Sequence, residues 1–191
     1  MLDPHLVLMG YQRGFFPMGD EDDGQVYWHR PPERAIIPLE AVHIPRSVAK
    51  EVRKGRLRTT INQAFSTVIL RCSQRDQTWI TSDIIDTYLE LHDMGYAHSV
   101  ETWSDDNIVG GLYGVAIHAA FFGESMFSTQ SNASKVAFAR LVDHLRDHNF
   151  LLLDTQYIND FTASLGAIEI PDADYITILQ TALARTDVAF L

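Results

Sequence analysis

With 191 residues, 46% of them hydrophobic, the chain carries enough apolar material for one core without disulfides or metal. The lone cysteine, Cys72, excludes an internal disulfide, no basic segment and apolar run of signal-peptide type opens the chain, and no window reaches the ~20 apolar residues of a spanning helix. A cytoplasmic protein with no membrane partner is expected. The net charge of −10 argues against nucleic acid as a global partner, yet residues 46–58 set six basic side chains (Arg46, Lys50, Arg53, Lys54, Arg56, Arg58) against Glu51, a local +5. By composition alone such a run is more often a solvated helix face. A chain so polarised could also offer one patch to phosphate and an acidic surface to a cationic peptide.

Asp3 and Pro4 predict the N-cap and first position of a short helix that Gly14 closes. Pro17, Pro31, Pro32 and Pro38 then forbid a continuous helix and leave short strands at 25–28 and 34–37. Pro45 opens a basic helix ending at Gly55, residues 57–62 read as a strand, and Asn62 is expected to cap an apolar helix running to about Cys72. Ile84, Ile85, Tyr88, Leu89 and Leu91 recur with helical spacing, which predicts a helix over 82–94 stopped by Gly95. Residues 97–103, the polar turn after them and a long strand over 108–123, bent by its glycines, predict a β-hairpin. Asn132 is expected to cap a helix over 133–148, residues 150–156 to form a buried strand, residues 162–167 a small flexible turn, and Asp172 to open a last helix. This order predicts an α/β protein of α+β type: an N-acetyltransferase-like core, a mixed sheet flanked by helices, over 61–191, with a small irregular helix and strand region over 1–60.

Two stretches carry chemistry. "GESMFS" (123–128) puts the Glu124 carboxylate after a glycine on an apolar strand, an expensive position unless the acid is hydrated or paired. "LLLDTQYIN" (151–159) puts Asp154 and Gln156 two apart at another strand end, where regular pleating sends both side chains to one face. The plainer alternative for Asp154 is a turn cap. Ser125 lacks the second glycine of a nucleophile elbow, and His144 and His148, four apart, lack the glutamate of a zinc protease and read as a solvated helix face.

Together with these motifs, "YQRGFFPM" (11–18), "RAIIP" (34–38), "TWI" (78–80), "LHDMGYAHSVETW" (91–103), "VGGLYGV" (109–115), "NASK" (132–135) and "LLDTQYINDFTASLGAIEIP" (152–171) make the chain resemble the leucyl/phenylalanyl-tRNA–protein transferase family from end to end. The resemblance implies transfer of Leu, Phe or Met from aminoacyl-tRNA to proteins with N-terminal Arg or Lys, marking them for degradation by the N-end rule. It implies a monomer that uses no metal and no cofactor. Asp154 and Gln156 match the family's catalytic pair, and Glu124 its active-site acid. Met18, Trp79, Leu112, Phe121 and Leu141 fall where the family lines a slot for the terminal adenosine and the aminoacyl side chain, with Asn159 nearby. Arg53 and Lys54 fall in the helix associated with the tRNA acceptor stem.

The resemblance has two departures. Members of the family are expected to carry a further N-terminal element ahead of the position of Met1, and His118 stands where a small glycine is expected. A CoA-dependent N-acyltransferase of the same fold would want a glycine-rich loop before the helix at 133, which "STQSNASK" (128–135) does not supply. An inactive tRNA-binding or N-terminus-binding module is the non-enzymatic alternative, and the intact Asp154 and Gln156 pair disfavours it. In the transferase reading the Gln156 carbonyl holds the attacking amine, Asp154 orients Gln156 and stabilises the developing cation, and Glu124 either orients the ribose or binds the acceptor's basic side chain.

Overall fold

The computed structural model describes residues 1–20, 22–74 and 78–191. Helix α1 (Pro4–Gln12) begins as its sequence dictates, with Asp3 accepting the His5 N–H and Pro4 occupying a position that has no donor to satisfy. Strands β1 (Phe16–Gly19) and β2 (Val26–His29) form a separate antiparallel hairpin. Strand β3 (Glu33–Ile36) leads to a short 3-10 turn, Leu39–Ala41, and then to helix α2 (Arg46–Lys54), which Pro45 opens and a left-handed Gly55 closes. There follow β4 (Arg58–Ile61), α3 (Phe65–Ser73), α4 (Ser82–Asp93), β5 (Ala97–Ser104), β6 (Asn107–Ile117) and β7 (Ala120–Ser128). The chain ends with α5 (Ala133–Asp147), β8 (Leu152–Gln156), α6 (Asp160–Ser164), β9 (Ile168–Pro171) and α7 (Asp172–Leu183).

Seven strands form one mixed sheet in the order β4-β5-β6-β7-β8-β3-β9. All neighbours are antiparallel except β7 and β8, which α5 joins as a crossover. The sheet is therefore helix-flanked, as the element order predicts, and it draws β3 and β4 from the first sixty or so residues. Gly110 and Gly111 show which helices cover which face. A Cβ on Gly110 would come within 2.7 Å of Ala133 in α5, and one on Gly111 within 3.2 Å of Val68 in α3. Consecutive strand residues point to opposite faces, so α5 and α3 pack on opposite sides and each sits too close for a larger residue beneath it.

A single large core runs through these layers, with Tyr11, Tyr88, Tyr113, Tyr175, Phe121 and Phe122 among its fully buried rings. Each fully buried large apolar side chain contributes about 1.5–3 kcal/mol relative to exposure. No helix among the described residues is long and apolar enough to cross a membrane.

Four local expectations change. Asn62 does not cap α3; its Oδ1 accepts the Ser99 N–H at 2.9 Å and its Nδ2 bonds His98 Nδ1, while the buried Glu101 carboxylate reaches across from β5 to accept the Ala64 N–H at the start of that helix. The long strand over 108–123 is two strands, because the chain reverses between Ile117 and Ala120 with His118 at φ +52°. The stretch 162–167 is not a free turn, since Asn159 and Thr162 form a reciprocal cap that starts α6. His144 is not on a solvated face; it is buried, and its Nε2 donates to the Phe190 carbonyl at 2.7 Å.

Candidate active site

Strand pairing determines where a pocket can open. The parallel ladder of β7 and β8 stops at the Phe122↔Asp154 pair, and from there each strand continues without the other. The gap opens onto a cavity of about 810 Å³, lined on one side by Gly123, Glu124 and Ser125 and on the other by Thr155 and Gln156. A bulge re-aims the side chain on each of these two strand ends. In β7 the register passes from Gly114↔Gly123 to Tyr113↔Ser125, so Glu124 is the unpaired extra residue. In β8 it passes from Ile36↔Asp154 to Ala35↔Gln156, leaving Thr155 unpaired.

The second bulge overturns the expectation that Asp154 and Gln156 share a face. Gln156 has φ +65° and is the centre of a three-residue turn closed by Tyr157 N–H to the Thr155 carbonyl at 2.8 Å. A positive φ in such a turn is the rare, strained form for a residue with a side chain. Gln156 thereby turns into the cavity, while Asp154 stays fully buried behind it. Asp154 Oδ1 accepts from Arg34 Nε at 2.9 Å and from the Gln156 backbone N–H at 2.8 Å; its Oδ2 accepts from Arg34 Nη2 at 2.8 Å and from the Tyr175 hydroxyl at 2.6 Å. Both oxygens are saturated by protein donors. What Asp154 does here is hold the strained Gln156 backbone.

Arg34, missed by sequence reading as a site residue, is itself enclosed. Its guanidinium lies 4.3 Å from the Phe16 ring centre and 4.7 Å from that of Tyr175, and its Nη1 donates to the Gly14 carbonyl at 3.0 Å. Burial works against its charge, but the Asp154 carboxylate beside it prevails and holds its pKa above the usual value. Burial likewise pushes the Tyr175 hydroxyl up, reinforced by Asp154. One signal was available: an arginine inside the short apolar strand "RAIIP" must find a buried carboxylate.

Glu124 sits in a second tyrosine cage. Its Oε1 accepts from Tyr11 at 2.6 Å and from Gln156 Nε2 at 2.9 Å, and the Tyr88 hydroxyl, 3.3 Å from its Oε2, shares its single proton between that oxygen and the neighbouring Tyr11 hydroxyl. Burial pushes the Glu124 carboxyl up to about 7, against the lowering effect of these hydrogen bonds. Because Gln156 donates its Nε2 to Glu124, its carbonyl oxygen remains an acceptor at the cavity.

The cavity brings together Met18, Trp79, Leu112, Leu141 and Asn159 with Glu124 and Gln156. Gly19, next to Met18 in β1, ties that strand to the bend at Trp79: its N–H donates to the Trp79 carbonyl at 2.9 Å, and a Cβ on it would stand 2.5 Å from that oxygen. Phe121 is not part of the lining. Its ring is in the core, packed over Gly114 and stacked with Phe190 at 5.4 Å. Arg53 and Lys54 lie outside the cavity on the exposed last turn of α2, where Lys54 pairs with Glu51 at 2.7 Å.

An acid and an amide meet where two parallel strands of a helix-flanked mixed sheet part, above an apolar-walled cavity, an arrangement with the parts an acyl-transfer enzyme needs to hold an amine beside an ester. The sequence pattern of the leucyl/phenylalanyl-tRNA protein transferases matches residues 36–180, and that of their N-terminal domain matches residues 1–32. The chain is 50% identical over 170 residues to the leucyl/phenylalanyl-tRNA–protein transferase of Salinibacter ruber, spanning 89% of this chain and 75% of that protein. It is 49% identical over 189 residues to the one from Zymomonas mobilis, with coverage of 96% and 70%. For that of Chlorobium limicola the identity is 46% over 189 residues and the coverage 97% of both chains. The chain belongs to the leucyl/phenylalanyl-tRNA–protein transferase family.

Proposed function

We propose that the cavity between β7 and β8 is where Leu, Phe or Met passes from the 3′ end of its tRNA to the α-amino group of a protein beginning with Arg or Lys, marking it in the cytoplasm for degradation by the N-end rule. The observation that carries this reading is the Gln156 to Glu124 hydrogen bond across the parted strands, with Asp154 held behind it. In this reading residues 1–60 contribute Met18 to the donor slot and Arg53 and Lys54 to the tRNA contact, and residues 61–191 supply the reacting groups.

An aminoacyl ester is already activated, so the reaction demands placement of the amine more than a strong base. An α-amino group of pKa about 7.7–8.0 is ~10–20% neutral at pH 7. Glu124, pushed up to about 7, is close enough in pKa to receive the proton of the bound ammonium. The Gln156 carbonyl accepts a hydrogen bond from the amine and aims its lone pair at the ester carbon. The C–N bond forms and the C–O bond to the ribose breaks; Glu124 gives its proton to the departing ribose oxygen and takes up the extra proton of the new amide nitrogen, which it later releases to solvent. Asp154, Arg34 and Tyr175 hold Gln156 in its strained turn and take no part in the proton transfer. Met18 and Trp79 receive the terminal adenosine, and Leu112 and Leu141 the aminoacyl side chain, with Asn159 at the rim.

The test is transfer from labelled Leu-tRNA to peptides that differ only in starting with Arg, Lys, Asp or Ala. Transfer confined to the Arg and Lys peptides is expected. No transfer, or equal transfer to the Ala peptide, would overturn the reading.

A further inference from the structure

Among the described residues lining the cavity, Glu124 is the one Asp or Glu and Arg71 the one Arg or Lys. Glu124 has its place in the reaction above. Arg71 has none, and the sequence reading passed over it.

Arg71 stands in the last turn of α3, three residues before Gln74, which also lines the cavity. The helix beneath it is fixed: Phe65, Val68, Ile69 and Cys72 are buried, and Glu101 satisfies the Ala64 N–H at its start. The Arg71 side chain is exposed, and no ion pair between described residues engages it. A cation thus projects from an anchored helix into a cavity where, among the described lining residues, Glu124 carries the one other charge. In a chain of net charge −10, a cation placed there with no ion pair to a described carboxylate suits an anionic ligand.

The terminal aminoacyl nucleotide of a tRNA carries one anionic group, the phosphodiester on the 5′ side of its last nucleoside. Resting on the donor-site reading above, we infer that Arg71 is the phosphate-binding residue of the cavity, receiving that phosphodiester as Trp79 and Met18 receive the nucleoside. A guanidinium pairs with two phosphate oxygens through parallel N–H donors, which fixes orientation as well as adding attraction. This contact is distinct from the patch on α2, which lies outside the cavity and would meet RNA further from the ester.

The experiment uses two non-reactive inhibitors of transfer from Leu-tRNA, both with leucine amide-linked to the 3′ position of adenosine. One has a free 5′-hydroxyl and the other a 5′-phosphate methyl ester. The phosphate-bearing analogue should inhibit the wild type about 5–30-fold more tightly, the size expected for one charge-assisted, partly exposed contact. Arg71→Ala should bring that ratio close to one and leave inhibition by the phosphate-free analogue unchanged, with an unchanged melting temperature because the side chain is exposed. Arg71→Lys should keep part of the preference. A wild-type preference that survives in Arg71→Ala, or a wild type with no preference, would overturn the inference and leave the donor site standing. Failure of both analogues to inhibit the wild type would overturn the donor-site reading and the inference with it.

Discussion

Gln156 and Glu124 belong to strands that have ceased to pair, yet the Gln156 amide donates to the Glu124 carboxylate at 2.9 Å across the opening. The bond fixes which end of the amide faces the cavity and ties its orientation to an acid that titrates near neutrality, pushed by burial up to about 7. At saturating Arg-peptide, the single-turnover rate of the wild type should rise through about pH 7 as Glu124 ionises, and that limb should be missing from Glu124→Gln.

The same shift makes a stability prediction of opposite sign. A carboxyl whose pKa is raised by folding keeps a proton that the unfolded chain gives up, so its contribution is full below the unfolded value of about 4.3 and is lost as pH rises to about 7. Between pH 4.5 and 7.5 Glu124→Gln should therefore gain on the wild type, on the order of 2–3 kcal/mol in urea denaturation. A stability difference independent of pH would show that folding does not raise the Glu124 carboxyl.

The Asp154, Arg34 and Tyr175 assembly separates a stability role from a chemical one. Arg34→Ala leaves Asp154 buried without its cation and should cost about 3–5 kcal/mol. Tyr175→Phe removes one hydrogen bond to Oδ2 and should cost about 1–2 kcal/mol, with a modest fall in transfer and an unaltered pH profile. Denaturation measured beside a pH-rate profile checks both; a displaced profile in Tyr175→Phe would bring Asp154 into the proton transfer.

His118 occupies the first position of the two-residue turn between β6 and β7, at φ +52°, where hairpins with one positive φ select glycine. His118→Gly should stabilise the protein by about 0.5–1 kcal/mol and leave transfer unchanged, since His118 is absent from the cavity lining. A raised melting temperature with wild-type kinetics is the expected result.

Periodicity and punctuation exposed the helices, because Pro4, Pro45, Gly55 and Gly95 mark their ends locally. The apolar strands carrying Glu124 and Asp154 were equally legible. What depends on the sheet was not. A bulge is a difference between two strands, so no single stretch records that Glu124 and Thr155 are unpaired or that Gln156 turns away from Asp154. The two tyrosine cages join residues as far apart as Tyr11 and Glu124, or Arg34 and Asp154, and only the topology brings them together. Phe121 shows the converse: its place in an apolar run next to the site gave no sign that its ring belongs to the core beneath Phe190.

The basic turn of α2 is the proposed answer to how so acidic a chain holds RNA. Changing Arg53 and Lys54 together to Ala removes at most two phosphate contacts, so the slope of log K for tRNA against log salt should fall by up to ~1.5–2 while affinity for an Arg-peptide stays the same. Unchanged tRNA binding would place the acceptor stem elsewhere.

The central claim is that transfer occurs where Gln156 faces the cavity. The most direct measurement is the single-turnover transfer of labelled Leu from Leu-tRNA to an Arg-peptide by the wild type and Gln156→Ala, with folding verified by an unchanged denaturation midpoint. The Gln156→Ala rate should be lower by orders of magnitude, because the amine loses its acceptor and Glu124 its tether. Equal rates in the two proteins would contradict the account.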